Sequence, residues 1–112
     1  MNQEHAAYLT KNFSFFKKDF NFECGDGWFE LIKNLLEKLQ ALNIPNLCIL
    51  QVKEKFGALV VYSDKELPHV RTLLFTACKA SLVICEICGE TGRLVIEQSM
   101  RYKTRCTKCQ QL

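Results

Sequence analysis

The chain has 112 residues, with 48% hydrophobic, 24% charged and only 5 Gly and 2 Pro, a profile of one globular domain that excludes a disordered chain and a pair of large domains. No apolar run approaches the roughly 18 residues that cross a bilayer, and the start Met1-Asn2-Gln3-Glu4-His5 lacks the basic and apolar regions of an export signal, so a soluble cytoplasmic protein with no membrane partner is expected. The formal net charge is +3; residues 1–84 carry ten Lys/Arg against nine Asp/Glu, and residues 85–112 carry five against three.

Residues 3–12 open the chain in a helix-like pattern and run into an aromatic stretch of mixed period through Phe13, Phe15, Phe16, Phe20 and Phe22. Cys24-Gly25-Asp26-Gly27 interrupts it, with Asp26 placed to cap the next helix. From Trp28, the residues Leu31, Ile32, Leu35, Leu36, Leu39 and Leu42 step by three and four, the stripe of an amphipathic helix that Pro45 brings to an end. Two β-like runs come after it, Leu47–Phe56 and Leu59–Ser63, joined at Gly57-Ala58 as a hairpin. In the first, Leu50, Val52 and Phe56 alternate with Gln51, Lys53 and Lys55; Glu54 is the exception, a carboxylate on the apolar side. Both faces of the second run are apolar, which suits a central strand or a patch offered to a partner. A third helix is expected to start at Pro68 and run to about residue 82, burying Val70, Leu73, Leu74, Ala77, Cys78 and Ser81. The order is two N-terminal helices, a β-hairpin, a third helix and a cysteine-rich tail. This predicts one α+β domain over residues 1–112, with an α+β core (1–84) and a C-terminal four-cysteine zinc-ribbon subdomain (85–112).

Seven cysteines in a chain without an export signal argue for metal or buried thiols. Cys85-Glu86-Ile87-Cys88 and Cys106-Thr107-Lys108-Cys109 are two Cys-x2-Cys pairs separated by 17 residues, the spacing of a four-thiolate zinc site. Four reduced core cysteines or two local disulfides are the alternatives. Four sulfurs close the tetrahedron, so the expected role of zinc is structural, and a tail this short needs the metal to fold. Only Gln110, Gln111 and Leu112 come after the second pair, which favours a ribbon of two knuckles over a treble-clef finger. Four thiolates and one divalent ion add −2, cancelling the basic excess of the tail.

Cys24, Cys48 and Cys78 read as buried thiols in apolar surroundings, although Cys24, just ahead of a helix start, has a setting that can lower a thiol pKa. No paired-carboxylate, phosphate-loop or serine-nucleophile motif is present, so a non-enzymatic role is expected.

Cys24-Gly25-Asp26-Gly27-Trp28, Gln51-Val52-Lys53-Glu54-Lys55-Phe56-Gly57, Cys85-Glu86-Ile87-Cys88-Gly89 and Thr104-Arg105-Cys106 resemble a family of small, largely uncharacterised proteins of bacteria, phages and prophages, over about residues 24 to 109. After Gly57 the family pattern continues with a second glycine and an Arg-Phe-Tyr-like strand, where this chain has Ala58-Leu59-Val60-Val61-Tyr62, and it often extends past the last cysteine. The resemblance implies a zinc-bearing α+β domain in a bacterial or mobile-element setting and brings no established activity.

These patterns point to two functions. One is a protein-binding module of the inhibitor, immunity or counter-defence kind, with Lys53, Lys55, Phe56, Val60 and Tyr62 on its contact surface. The other is a nucleic-acid-binding ribbon that uses Arg101, Lys103, Arg105 and Lys108 with Tyr102 interleaved. The charge arithmetic places protein first and nucleic acid second; the oligomeric state is not encoded in any pattern.

Overall fold

In the computed structural model, which describes residues 1–111, helix α1 spans Gln3–Asn12 and is capped by the Asn2 side chain, which accepts the His5 amide; Leu112 lies outside the described residues. The aromatic stretch after it is not helical. Phe16, Phe20 and Phe22 pack ring against ring, with centroids 4.7 to 5.3 Å apart, and lead into a short strand β1 (Phe22–Glu23). Asp26 does not cap the next helix as expected. It opens a 3-10 turn (Asp26–Trp28) with no side-chain cap, and its carboxylate instead accepts from the backbone and side-chain amides of Asn2 and meets His5 Nδ1 at 3.1 Å. The Asn2 amide is the main reason its carboxyl sits below the usual aspartate range. Helix α2 (Phe29–Ala41) comes next, burying Ile32, Leu35, Leu36 and Leu39 beside Trp28, while Leu42 lies past its end and is exposed.

The hairpin is part of a three-stranded mixed sheet, in the order β1-β2-β3. β2 (Ile49–Lys55) is central, parallel to β1 through Phe22/Val52 and antiparallel to β3 (Ala58–Ser63). The second apolar run is therefore an edge strand and not a central one. The alternation expected for the first run also fails, because the register shifts between Ile49 and Gln51. This bulge turns Leu50 out to 51% exposure and lets Ile49 and Val52, three residues apart, both face the core. Phe56 belongs to neither strand: Phe56 and Gly57 form the two-residue turn, both with positive φ (52° and 85°), a combination that matches the twist of the flanking strands.

Helix α3 (Pro68–Ser81) has Pro68 at its first position and packs on β3 and α2. Val52, Leu59 and Val61 from the inner sheet face join Trp28, Ile32, Leu36 and Val70 in one core cluster. The buried Ser81 hydroxyl accepts the Leu59 amide and donates to the Cys78 carbonyl, so an otherwise unpaired edge donor is satisfied by α3. The outer sheet face carries Gln51, Lys53, Val60 and Tyr62, with Tyr62 42% exposed. Beyond α3 a second hairpin, β4 (Arg93–Ile96) with β5 (Tyr102–Arg105), returns the chain to its own start. Among the described residues no helix is long and apolar enough to cross a membrane.

Candidate metal centre

The first cysteine pair sits in a tight turn. Cys85 accepts the Gly89 amide at its carbonyl (2.9 Å), its own amide donates to the Glu90 carbonyl (2.7 Å), and Gly89 takes φ +84°, which a side chain would strain. The antiparallel register Arg93/Arg105 to Ile96/Tyr102 then brings Cys106 and Cys109 back beside it. In the second turn the Gln110 amide donates to the Cys106 carbonyl, and the Cys109 amide reaches the Cys106 sulfur at 3.4 Å. A short 3-10 turn (Cys109–Gln111) ends this segment.

The four sulfur atoms of Cys85, Cys88, Cys106 and Cys109 lie within 4.8 Å of one another, and Cys88 and Cys106 are 3.6 Å apart. Zn–S bonds of ~2.3 Å at tetrahedral angles put sulfurs ~3.8 Å apart, so the set has the dimensions of a metal site. All seven cysteines are unbridged, and the short Cys88–Cys106 sulfur distance joins the two pairs into one cluster. Cys85 and Cys106 are buried, Cys109 is half-buried and Cys88 is exposed. Burial works to raise the Cys85 thiol, but the amides of Cys88, Cys106 and Ile87 more than offset it and bring it down to about 6. Cys109, sharing its proton with Cys106 and partly desolvated, is pushed up to about 12. Backbone amides thus lower Cys85 and Cys106, while protons shared within the cluster raise Cys88 and Cys109. The three remaining cysteines stand apart. Burial pushes Cys24 up to about 12, the reverse of the lowered value its sequence position suggests.

The cluster is fastened to the core at two ends. At one end the segment Cys85-Glu86 crosses the Gly25–Gly27 loop so closely that a Cβ on Gly27 would lie 2.0 Å from the Cys85 carbonyl oxygen, and one on Gly25 2.4 Å from that of Glu86. The Gly27 amide donates to the Glu86 carbonyl (2.7 Å), and Trp28 Nε1 donates to the Ile84 carbonyl (2.8 Å). Glu86 is itself buried, one carboxylate oxygen accepting the Gly25 amide and the other facing Arg105 Nη1 at 3.2 Å. At the other end the buried Thr104 hydroxyl donates to the Gly57 carbonyl (2.6 Å), and Lys103 Nζ meets Glu54 Oε1 at 2.8 Å. Burial would raise Glu54, but the Lys103 ammonium and the Gly57 amide outweigh it and hold the carboxyl below its ordinary range. The carboxylate that looks misplaced on β2 is therefore the anchor for β5.

The residues expected to meet a partner fall into three places. Lys55 and Phe56 from the β2–β3 turn and Arg101, Tyr102 and Lys103 from the second hairpin line one cleft of about 290 Å³, together with Glu54 and Met100. Lys53, Val60 and Tyr62 lie on the outer sheet face, away from it. Arg105 is half-buried against Glu86. Met100, Glu54 and Glu86 carry no functional signal of their own in the sequence except the anomalous position of Glu54, and Met100 sits in a loop without periodicity. Comparison with known protein families, with curated proteins and with solved structures finds no match to this chain, so the motif resemblance rests on its own residues.

Proposed function

We propose that this chain is a small, non-enzymatic, zinc-stabilised protein-binding module that binds or blocks a partner protein, in the manner of bacterial or phage immunity and counter-defence proteins. Zinc is the ion that four converging thiolates favour, and four sulfurs leave no position for water or substrate, so its role is structural. The observation that carries the binding role is the cleft where the two hairpins meet. Phe56 and Met100 are 72% and 78% exposed there beside Tyr102, an apolar surface with a charged rim of the kind that meets other proteins. A nucleic-acid track ranks behind it, because Lys103 and Arg105 are committed to Glu54 and Glu86, which leaves only Arg101 and Lys108 of that row unpaired among the described residues.

Elemental analysis of purified protein tests the metal: stoichiometric zinc is expected, and its absence from freshly reduced protein contradicts the assignment. Affinity capture from a bacterial host lysate tests the binding role. A stoichiometric protein partner that is lost with Tyr102→Ser supports it. Binding of DNA or RNA that weakens steeply with salt, with no protein captured, supports the nucleic-acid alternative instead.

A further inference from the structure

We infer that the cleft between the β2–β3 turn and the β4–β5 loop receives a linear acidic peptide, which inserts one apolar side chain against Phe56, Met100 and Tyr102 and sets carboxylates against Lys55 and Arg101. This inference rests on the protein-binding reading of the same cleft and names the chemistry of its occupant.

Three independent features converge on it. The first is backbone strain. Five residues other than glycine have positive φ; three are Asp19, Asn43 and Asn46, types that tolerate that conformation, and the other two are Phe56 (52°) and Met100 (62°). Turn chemistry favours Asn, Asp or Gly at such positions. The two bulky side chains that break this rule both line the cleft and both stand out into solvent. Strain of this kind, about 1–3 kcal/mol per residue, collects at functional sites.

The second feature is charge. The lining holds three cations and one carboxylate, and that carboxylate, Glu54, is already taken by Lys103 and the Gly57 amide. Lys55 and Arg101 form no salt bridge among the described residues. The surplus of +2 favours an anionic partner. The third feature is size. At about 290 Å³, the cleft lies at the lower bound of the roughly 300–1,000 Å³ that drug-sized ligands occupy, which suits one or two side chains of an extended segment and not the face of a helix. Two free cations are also too few for single-stranded nucleic acid, which needs a charged groove that tracks the backbone.

The test is selection of a random peptide-display library on the full zinc-loaded chain, followed by anisotropy titration of the enriched peptides. Enriched sequences should place acidic residues beside one aromatic or aliphatic residue, and both Phe56→Gly and Arg101→Glu should weaken them by about tenfold or more. Phe56→Gly suits the turn conformation, so it retains the fold, and unchanged Trp28 fluorescence verifies this in each variant. Enriched peptides that lack carboxylates yet depend on Phe56 overturn the acidic occupant and leave the protein-binding role intact. Peptides indifferent to both variants, or no enrichment at all, overturn the cleft as a docking site. A short oligothymidylate that binds more tightly than any peptide, and is lost with Arg101→Glu, overturns it in favour of nucleic acid.

Discussion

The α+β core and the C-terminal hairpin are ordered by different forces. All sixteen residues of the buried apolar cluster, from Leu9 to Ala77, belong to the first region. Between residues 85 and 110 the buried positions are Cys85, Glu86, Thr104 and Cys106, none of them an aliphatic or aromatic side chain, while Leu94, Ile96 and Tyr102 face solvent. The core is held by area removed from water, a force without direction. The hairpin has no such reserve and relies on the thiolate cluster together with hydrogen bonds and ion pairs that each contribute on the order of 1 kcal/mol. Directional bonds set its register on the core but are too weak to order it alone, so on the proposed reading an ion held by the four thiols is the main source of local stability.

Removing a ligand should separate the two regions most clearly. Structural zinc contributes roughly 10–16 kcal/mol in finger peptides, so Cys106→Ala, or chelation of the wild-type protein, should abolish amide-exchange protection in β4 and β5 while α2, β2 and β3 remain protected. Trp28 donates to Ile84 next to the first cysteine, so its emission should shift to the red in the same experiment. Protection that survives chelation in β4 and β5 would falsify the metal's role.

The fastening at the Gly25–Gly27 loop comes next. Gly27→Ala forces a Cβ into the Cys85 carbonyl, and such overpacking against backbone should lower stability by about 3 kcal/mol in urea unfolding. An unchanged midpoint would mean that the first knuckle does not seat there.

At the opposite end, Glu54→Gln should lower stability by about 1 kcal/mol at neutral pH. The folded-state carboxyl lies below its ordinary value of 4.5, so the stabilisation from Lys103 is full above that pH and disappears as pH falls through the lower folded value. The difference between wild type and variant should therefore close on acidification below 4.5. A gap that stays constant into strong acid would show that the ion pair is not its source. The smallest effect belongs to Leu50→Ser on the bulge, expected within ~0.5 kcal/mol of wild type by thermal unfolding; a loss like that of a core leucine would place Leu50 inward after all.

Local patterns are readable where chemistry repeats at short range. The leucine stripe of α2, Pro68 at the head of α3 and the two Cys-x2-Cys pairs each declare themselves within a dozen residues, and the structure has them where the spacing predicts. β1 escapes such reading because two residues are too few to show a period. The alternation on β2 misleads because a single inserted residue, Leu50, exchanges the faces of everything before it. Phe56 reads as a strand residue because of its bulk and apolar character, whereas its turn conformation is set by the Gly57 next to it and by the twist of the hairpin. Lys103 and Arg105 read as free charge because their partners, Glu54 and Glu86, lie 49 and 19 residues away.

By itself the sequence determined three helices, a hairpin and four thiols spaced to converge, since periodicity and turn chemistry act over a few residues. Only the tertiary structure decided that Glu86 would reach Gly25 across 61 residues, that β3 would be an edge, and that two turns far apart in the chain would share a cleft. Such pairings depend on the path of the whole backbone, and the same residue types would satisfy many other paths equally well.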